Sequence, residues 1–192
     1  MHFLFSTLII STFILFGCTP KNGDQETDSA EEKRNEIRII GRQFYWTIWY
    51  PGEDGIFGKN DKDHSDEWNL VGLDYDDPSA QDDKIVRSDD FRLIVGEKYT
   101  FSITSWDVIH GAYFPHFRAQ TNALPGHDAI LEIRPSETTA AYLNRQETNN
   151  EETSKGFILI CNNVCGAFHN TMSLPIIVEN AAEFNEWYRS EN

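Results

Sequence analysis

The sequence is short of cysteine, short of positive charge and without any long apolar span, and each shortage narrows what the chain can be. Lys and Arg number 16 against 31 Asp and Glu, giving a formal charge of −15, and the basic residues cluster nowhere. That argues against nucleic acid as a partner, because a phosphate backbone is gripped by concentrated Lys and Arg. A basic protein partner suits the charge better. The longest apolar stretch, Phe3 to Phe16, is about fourteen residues, and a bilayer crossing takes about 20. No second long apolar run follows it, and no internal repeat is present. Three cysteines in 192 residues leave each one a role to be assigned. What remains is 40% hydrophobic and rich in aromatics, enough for one compact domain with a sizeable core.

The Phe3 to Phe16 run suits the core of a signal peptide. It ends in Leu15-Phe16-Gly17-Cys18, which resembles the bacterial lipobox, where a small residue precedes a Cys that is lipidated and becomes the mature N-terminus. On this reading residues 1–17 are the signal peptide and Cys18 is the lipidation site. The protein is then a lipoprotein of the cell envelope, anchored on the outer, periplasmic or extracellular, face of a bacterial membrane. Residues 18–35 continue as a polar stretch without apolar periodicity. Such a stretch buries too little surface to offset its ordering entropy and reads as a flexible tether.

From Glu36 the pattern changes to short runs of β-branched and aromatic residues punctuated by Gly, Pro and Asp. Strands are predicted at Ile37 to Ile40, Phe44 to Tyr50, Arg92 to Val95, Lys98 to Ser105, Val108 to Phe114, Ala129 to Ile133, Gly156 to Cys161 and Leu174 to Val178. Their spacing points to an all-β antiparallel sandwich or barrel over residues 36–192. Only the tail, Ala181 to Arg189, reads as helix. An acidic insertion at about 51–83 interrupts the strands. A segment that long is either functional or mobile, and both partner docking and a plain solvated loop remain open for it.

With Cys18 assigned to lipid, Cys161 and Cys165 are left, separated by three residues at the end of a predicted strand. Outside the cytoplasm such a pair alone suggests a small-loop disulfide or a weak metal clip. The residues that follow change the argument. Gly166 permits a tight turn, and His169 and Met172 come at intervals that can fold back on one centre. Thiolate, imidazole and thioether form a soft donor set suited to copper, whereas structural zinc seldom takes Met. Blue-copper sites use one Cys and two His. Two Cys can instead bridge two metal ions, and that arrangement needs a second His from elsewhere. His110, at a predicted strand end, is the first choice, with His116 and His127 as the other two.

Four motifs in order resemble those of the copper A domain of cytochrome c oxidase subunit II. They are Gln43-Phe44-Tyr45-Trp46, Asp107-Val108-Ile109-His110, Thr121-Asn122-Ala123-Leu124-Pro125-Gly126, and the loop Cys161-x3-Cys165-Gly166-x2-His169-x2-Met172. The resemblance spans most of Ile37 to Val178 and implies a cupredoxin-like Greek-key β-sandwich or barrel with a short C-terminal helix. It implies two copper ions bridged by Cys161 and Cys165. One adds His110 and Met172, the other His169 and the backbone carbonyl of Asn163. It also implies a role in the respiratory chain. Electrons would come from a cytochrome c or similar basic donor, arriving near Phe44, Tyr45 and Trp46, and pass to the haem-bearing subunit I of a haem-copper oxidase. No substrate bond is broken in such a domain. The family's magnesium ligands correspond to Asn122 and Asn163, and two amides in place of carboxylates make magnesium unexpected here. Most subunit II chains cross the membrane before this domain, and this one shows no such span, so the lipid at Cys18 is expected to replace that anchor. The alternative is a free-standing copper redox or copper-carrier lipoprotein.

Overall fold

A computed structural model describes residues 35–87, 91–148 and 156–190. The leader, Cys18 and the tether up to residue 34 lie outside the described residues. Two five-stranded sheets face each other. The first is built from β1 (Glu36–Arg42), β2 (Tyr45–Tyr50), β3 (Lys84–Arg87), β5 (Tyr99–Ser105) and β8 (Ala129–Ile133), in the order β3-β2-β1-β5-β8. The second holds β4 (Phe91–Ile94), β6 (His110–Phe114), β7 (Ala119–Ala123), β9 (Phe157–Cys161) and β10 (Ser173–Glu179), in the order β4-β10-β9-β6-β7. The architecture is the expected cupredoxin-like β-sandwich. The pairing is mixed rather than wholly antiparallel, since β1 runs parallel to β5 and β4 parallel to β10.

Strand alternation builds the core. Ile37, Ile39, Trp46 and Ile48 of the first sheet and Leu93, Phe114, Leu159, Ile176 and Val178 of the second are all buried in one cluster, as a period of two residues per face requires. Two departures from alternation have a single cause. Ile40 and Trp49 lie on the outer face of the first sheet, yet they are buried against Val71, Leu73 and Ala80 of the acidic insertion. The insertion is therefore a packed layer with its own small apolar cluster.

Three elements escaped the sequence pattern. Strand β3 has four residues and β7 reads AQTNA, too short or too polar to show a β signature. Helix α1 (Thr139–Thr148) has no buried residue and hence no apolar stripe to betray it. Thr139 Oγ1 anchors it by accepting from Val178 N at 2.8 Å, and the Tyr142 ring packs at a tilt against Phe157. The expected C-terminal helix is α2 (Ala181–Arg189), opened by a capping box between Asn180 and Glu183. Its Phe184, Trp187 and Tyr188 pack around Tyr50. Among the described residues no helix is long and apolar enough to cross a membrane.

Candidate metal centre

Three neighbouring strands of the second sheet deliver donor atoms to one end of the sandwich. In β9 the inward positions are Phe157, Leu159 and Cys161, and in β6 they are His110, Ala112 and Phe114. Met172 precedes β10 in phase with the inward Leu174, Ile176 and Val178. Because β9 is antiparallel to both neighbours, the end of β9 and the starts of β6 and β10 coincide. Cys161, His110 and Met172 thus meet for the same reason that the core residues meet. The Cys161 N–H donates to the Met172 carbonyl at 3.0 Å and holds the returning loop to its strand.

The sulfurs of Cys161 and Cys165 are 3.8 Å apart, as two separate thiols. His110 Nδ1 is 3.9 Å from Cys161 Sγ, and the Asn163 carbonyl oxygen is 3.2 Å from it. His169 Nδ1 and Met172 Sδ lie 3.7 and 3.9 Å from Cys165 Sγ. Ligand bonds of about 2.0–2.3 Å place donor atoms about 3.3–3.8 Å apart around a tetrahedral centre, so these separations fit donors that share metal ions. The donor atoms of His110, Cys161 and Cys165 all lie within 4.8 Å of one another. Burial, and next the neighbouring Cys161 thiol, push the Cys165 thiol up to about 11. A thiol held up in this way ionises readily only beside a cation, which is what a bound metal supplies.

His110 is fully buried and its orientation is set from behind. Asp107 Oδ1 accepts from His110 Nε2 at 2.8 Å, which leaves Nδ1 facing Cys161. A carboxylate behind a ligating imidazole fixes tautomer and ring orientation. Burial acts to raise the pKa of Asp107, but the bonds from His110, Gln43 N–H and Val108 N–H outweigh it and hold the carboxyl below its ordinary value. Trp46 sits edge-on to the imidazole at 5.9 Å, and a Cβ at Gly41 would fall 2.9 Å from His110 Cδ2, so glycine there makes room for the ring.

The other candidates lie elsewhere. His116, at the far end of β6, packs edge-on against Tyr142 and Phe157. His127 is exposed in the turn that follows Leu124. Of the aromatic trio, Phe44 meets Phe168 of the Cys161 to Met172 loop at 5.5 Å and Trp46 is buried beside His110. Tyr45 lies under Arg87 instead. Asn122 and Asn163 line one polar pocket with Gln120, Thr121 and Asn162. Two contributors had no role assigned from sequence: Asp107 and Gln43. Each opens one of the motifs that carry the family resemblance, Asp107 three residues before His110 and Gln43 just before Phe44.

No protein-family model matches the chain. An alternative cytochrome c oxidase subunit 2 from Bradyrhizobium diazoefficiens is 31% identical over 156 residues, covering 81% of this chain and 50% of that protein. Over these residues the chain is similar to cytochrome c oxidase subunit II. A probable cytochrome c oxidase subunit 2 from Rickettsia felis is 28% identical over 159 residues, covering 81% of this chain and 42% of that one. The chain thus spans about half the length of these subunit II relatives or less. The crystal structure of the periplasmic domain of subunit II of a Bradyrhizobium japonicum cytochrome oxidase shares the fold. Its TM-score is 0.51 at 23% identity, over 80% of this chain and 89% of that domain.

Proposed function

We propose that this subunit II domain holds two copper ions and relays single electrons within a terminal oxidase. The observation that carries the reading is the convergence of six donors on one sulfur pair: both thiols, His110, His169, Met172 and the Asn163 carbonyl. They divide evenly. His110 beside Cys161 pairs with Met172 beside Cys165, and His169 beside Cys165 pairs with the Asn163 carbonyl beside Cys161, so each set has one donor near each sulfur. Bound copper supplies reversible one-electron chemistry.

The chain's own residues do the rest. Asp107 orients His110, and the strand ends hold Cys161, His110 and Met172 in place before any metal arrives, so little rearrangement accompanies a change of charge. The burial of both cysteines and of Met172 limits water at the centre. A formal charge of −15 draws a basic donor such as a cytochrome c. The acceptor in this reading is the haem-bearing subunit I, and a lipid on Cys18 keeps the domain on the outer face of the membrane.

The test starts from the full chain in its membranes. It should co-purify with a haem-bearing subunit, and Cys18→Ser should release it to the soluble fraction. After anaerobic thiol reduction and copper loading, electron paramagnetic resonance should show one unpaired electron shared by two coppers, and Cys161→Ser should lose both metals. Wild-type protein that takes up no copper after reduction would sink the metal reading, and a chain that never accompanies a haem protein would sink the oxidase reading.

A further inference from the structure

The turn joining β1 to β2 belongs to the first sheet, yet its first residue reaches both ligand-bearing segments of the second. The Gln43 main-chain N–H donates to Asp107 Oδ2 at 2.7 Å, and Gln43 Nε2 donates to the Cys165 carbonyl at 2.5 Å. Asp107 uses its other oxygen to accept from His110. The contacts therefore close a ring: Cys165 carbonyl, Gln43, Asp107, His110, Cys161, and back to Cys165 across the sulfur pair. There is no slack in this fit. Gly166, at φ 148°, lies so close that a Cβ would be 2.7 Å from Gln43 Nε2 and 2.9 Å from the Phe44 ring. Phe44 continues the cover by meeting Phe168 edge-on.

We propose that Gln43 is a positioning residue of the centre. By bonding Asp107 and the Cys165 carbonyl together, it locks the His110 segment and the Cys165 loop into one rigid unit across the open end of the sandwich. The two halves of the link answer differently to mutation. The main-chain bond to Asp107 survives most substitutions, while the bond to Cys165 needs a neutral side-chain donor of this length, so a side-chain change tests the loop half alone. A network that is closed and satisfied rigidifies its members, and opening one link loosens the segment it held. The consequence for copper rests on the proposed function, whereas the loop's rigidity does not.

The decisive experiment compares the wild-type chain with Gln43→Met, which keeps the length and removes the donor, and Gln43→Glu, which sets an acceptor against the Cys165 carbonyl. In the metal-free, thiol-reduced proteins, amides of residues 163–170 should exchange with solvent at least about tenfold faster in both variants, with those of β5 unchanged. In the copper-loaded proteins, release of copper to a chelator should speed up by about tenfold or more and the hyperfine pattern should shift. Loop exchange within about twofold of wild type in both variants overturns the proposal, as does an increase shared equally by β5, which would mark a general loss of stability. Should wild-type protein take up no copper, the metal reading falls, and the exchange comparison alone decides the role of Gln43.

Discussion

The dithiol end of the sandwich and the acidic insertion are both rich in hydrogen bonds, but they are built in opposite ways. At the dithiol end the partners are remote in sequence: Gln43 lies 122 residues from Cys165, and His110 lies 51 from Cys161. In the insertion most bonds are local. Asp54, Asp61, Asp66 and Asp74 each accept the main-chain N–H two residues on, and Asp66 also takes that of Asn69. Asp77 caps the turn at Ser79 while reaching back to Lys59 N–H. Residues 51–83 hold eleven carboxylates and two lysines, nine of the net fifteen negative charges. Many of those carboxylates are spent on shaping the backbone. Bonds from Asn69 and Trp68 N–H hold Asp66 below the ordinary carboxylate range, as the bond from Lys59 N–H does for Asp77. The same residue type thus does two jobs: Asp107 orients the His110 imidazole, and the insertion aspartates fold a loop by self-capping.

If that contrast is right, damage at the dithiol end should spread and damage in the insertion should stay put. The largest effect is expected from His110→Ala, which empties a fully buried position and takes a partner from Asp107. Urea unfolding of the metal-free, reduced protein should show a loss of about 3 kcal/mol, and a loss under about 1 kcal/mol would mean that the imidazole is not part of the packing. Asn69→Ala should cost less. Asn69 mimics a strand partner for Leu73, accepting from its N–H at 2.7 Å and donating to its carbonyl at 2.9 Å. Removing both bonds should cost about 1–2 kcal/mol, with faster amide exchange confined to the insertion. Spread of that exchange into the Cys161 to Met172 loop would break the contrast.

The smallest effect is a dependence on pH. Asp83 accepts from Trp49 Nε1 and Gly58 N–H through one oxygen, while its other oxygen is buried without a partner. Burial exceeds the pull of the Gly58 and Trp49 bonds and, with Asp82 and Asp54 nearby, lifts its pKa to about 6. The folded protein then holds this proton more tightly than the unfolded chain. The stability it contributes is complete below about pH 4 and is lost as pH rises through about 6. With solvent screening at this half-exposed site the change is about 1 kcal/mol. Trp49 fluorescence followed through that window should report it. Asp83→Asn should flatten the profile, and an unchanged slope in that variant would assign the titration to another group.

Legibility followed the range of each interaction. The buried, alternating strands β1, β2, β5, β9 and β10 could be read because their side-chain period is local. Strands β3 and β7 and helix α1 could not, because what stabilises them is a neighbouring strand or a tertiary anchor such as Thr139 on Val178. Val108 and Ile109, read as strand, are partly exposed loop residues just before β6. Their side chains are β-formers, but Ser105 and Asp107 bend the chain there through bonds to the Val108 carbonyl and N–H. The parallel pairings β1·β5 and β4·β10 were equally hidden, since strand direction depends on the path of the whole chain.

What the sequence determined by itself was the β class and the set of donor side chains in the Cys161 to Met172 loop, because period, side-chain type and short spacing are properties of a continuous segment. The residue pattern left His110, His116 and His127 open as the second imidazole, and the family resemblance pointed to His110. Only the tertiary structure decided that His110 stands beside Cys161, while His116 lies in the turn just past the opposite end of that strand. Asp107 behind the imidazole and Gln43 across the gap were likewise decided there. Such contacts depend on which strand ends meet when two sheets close, and no stretch of contiguous sequence carries that information.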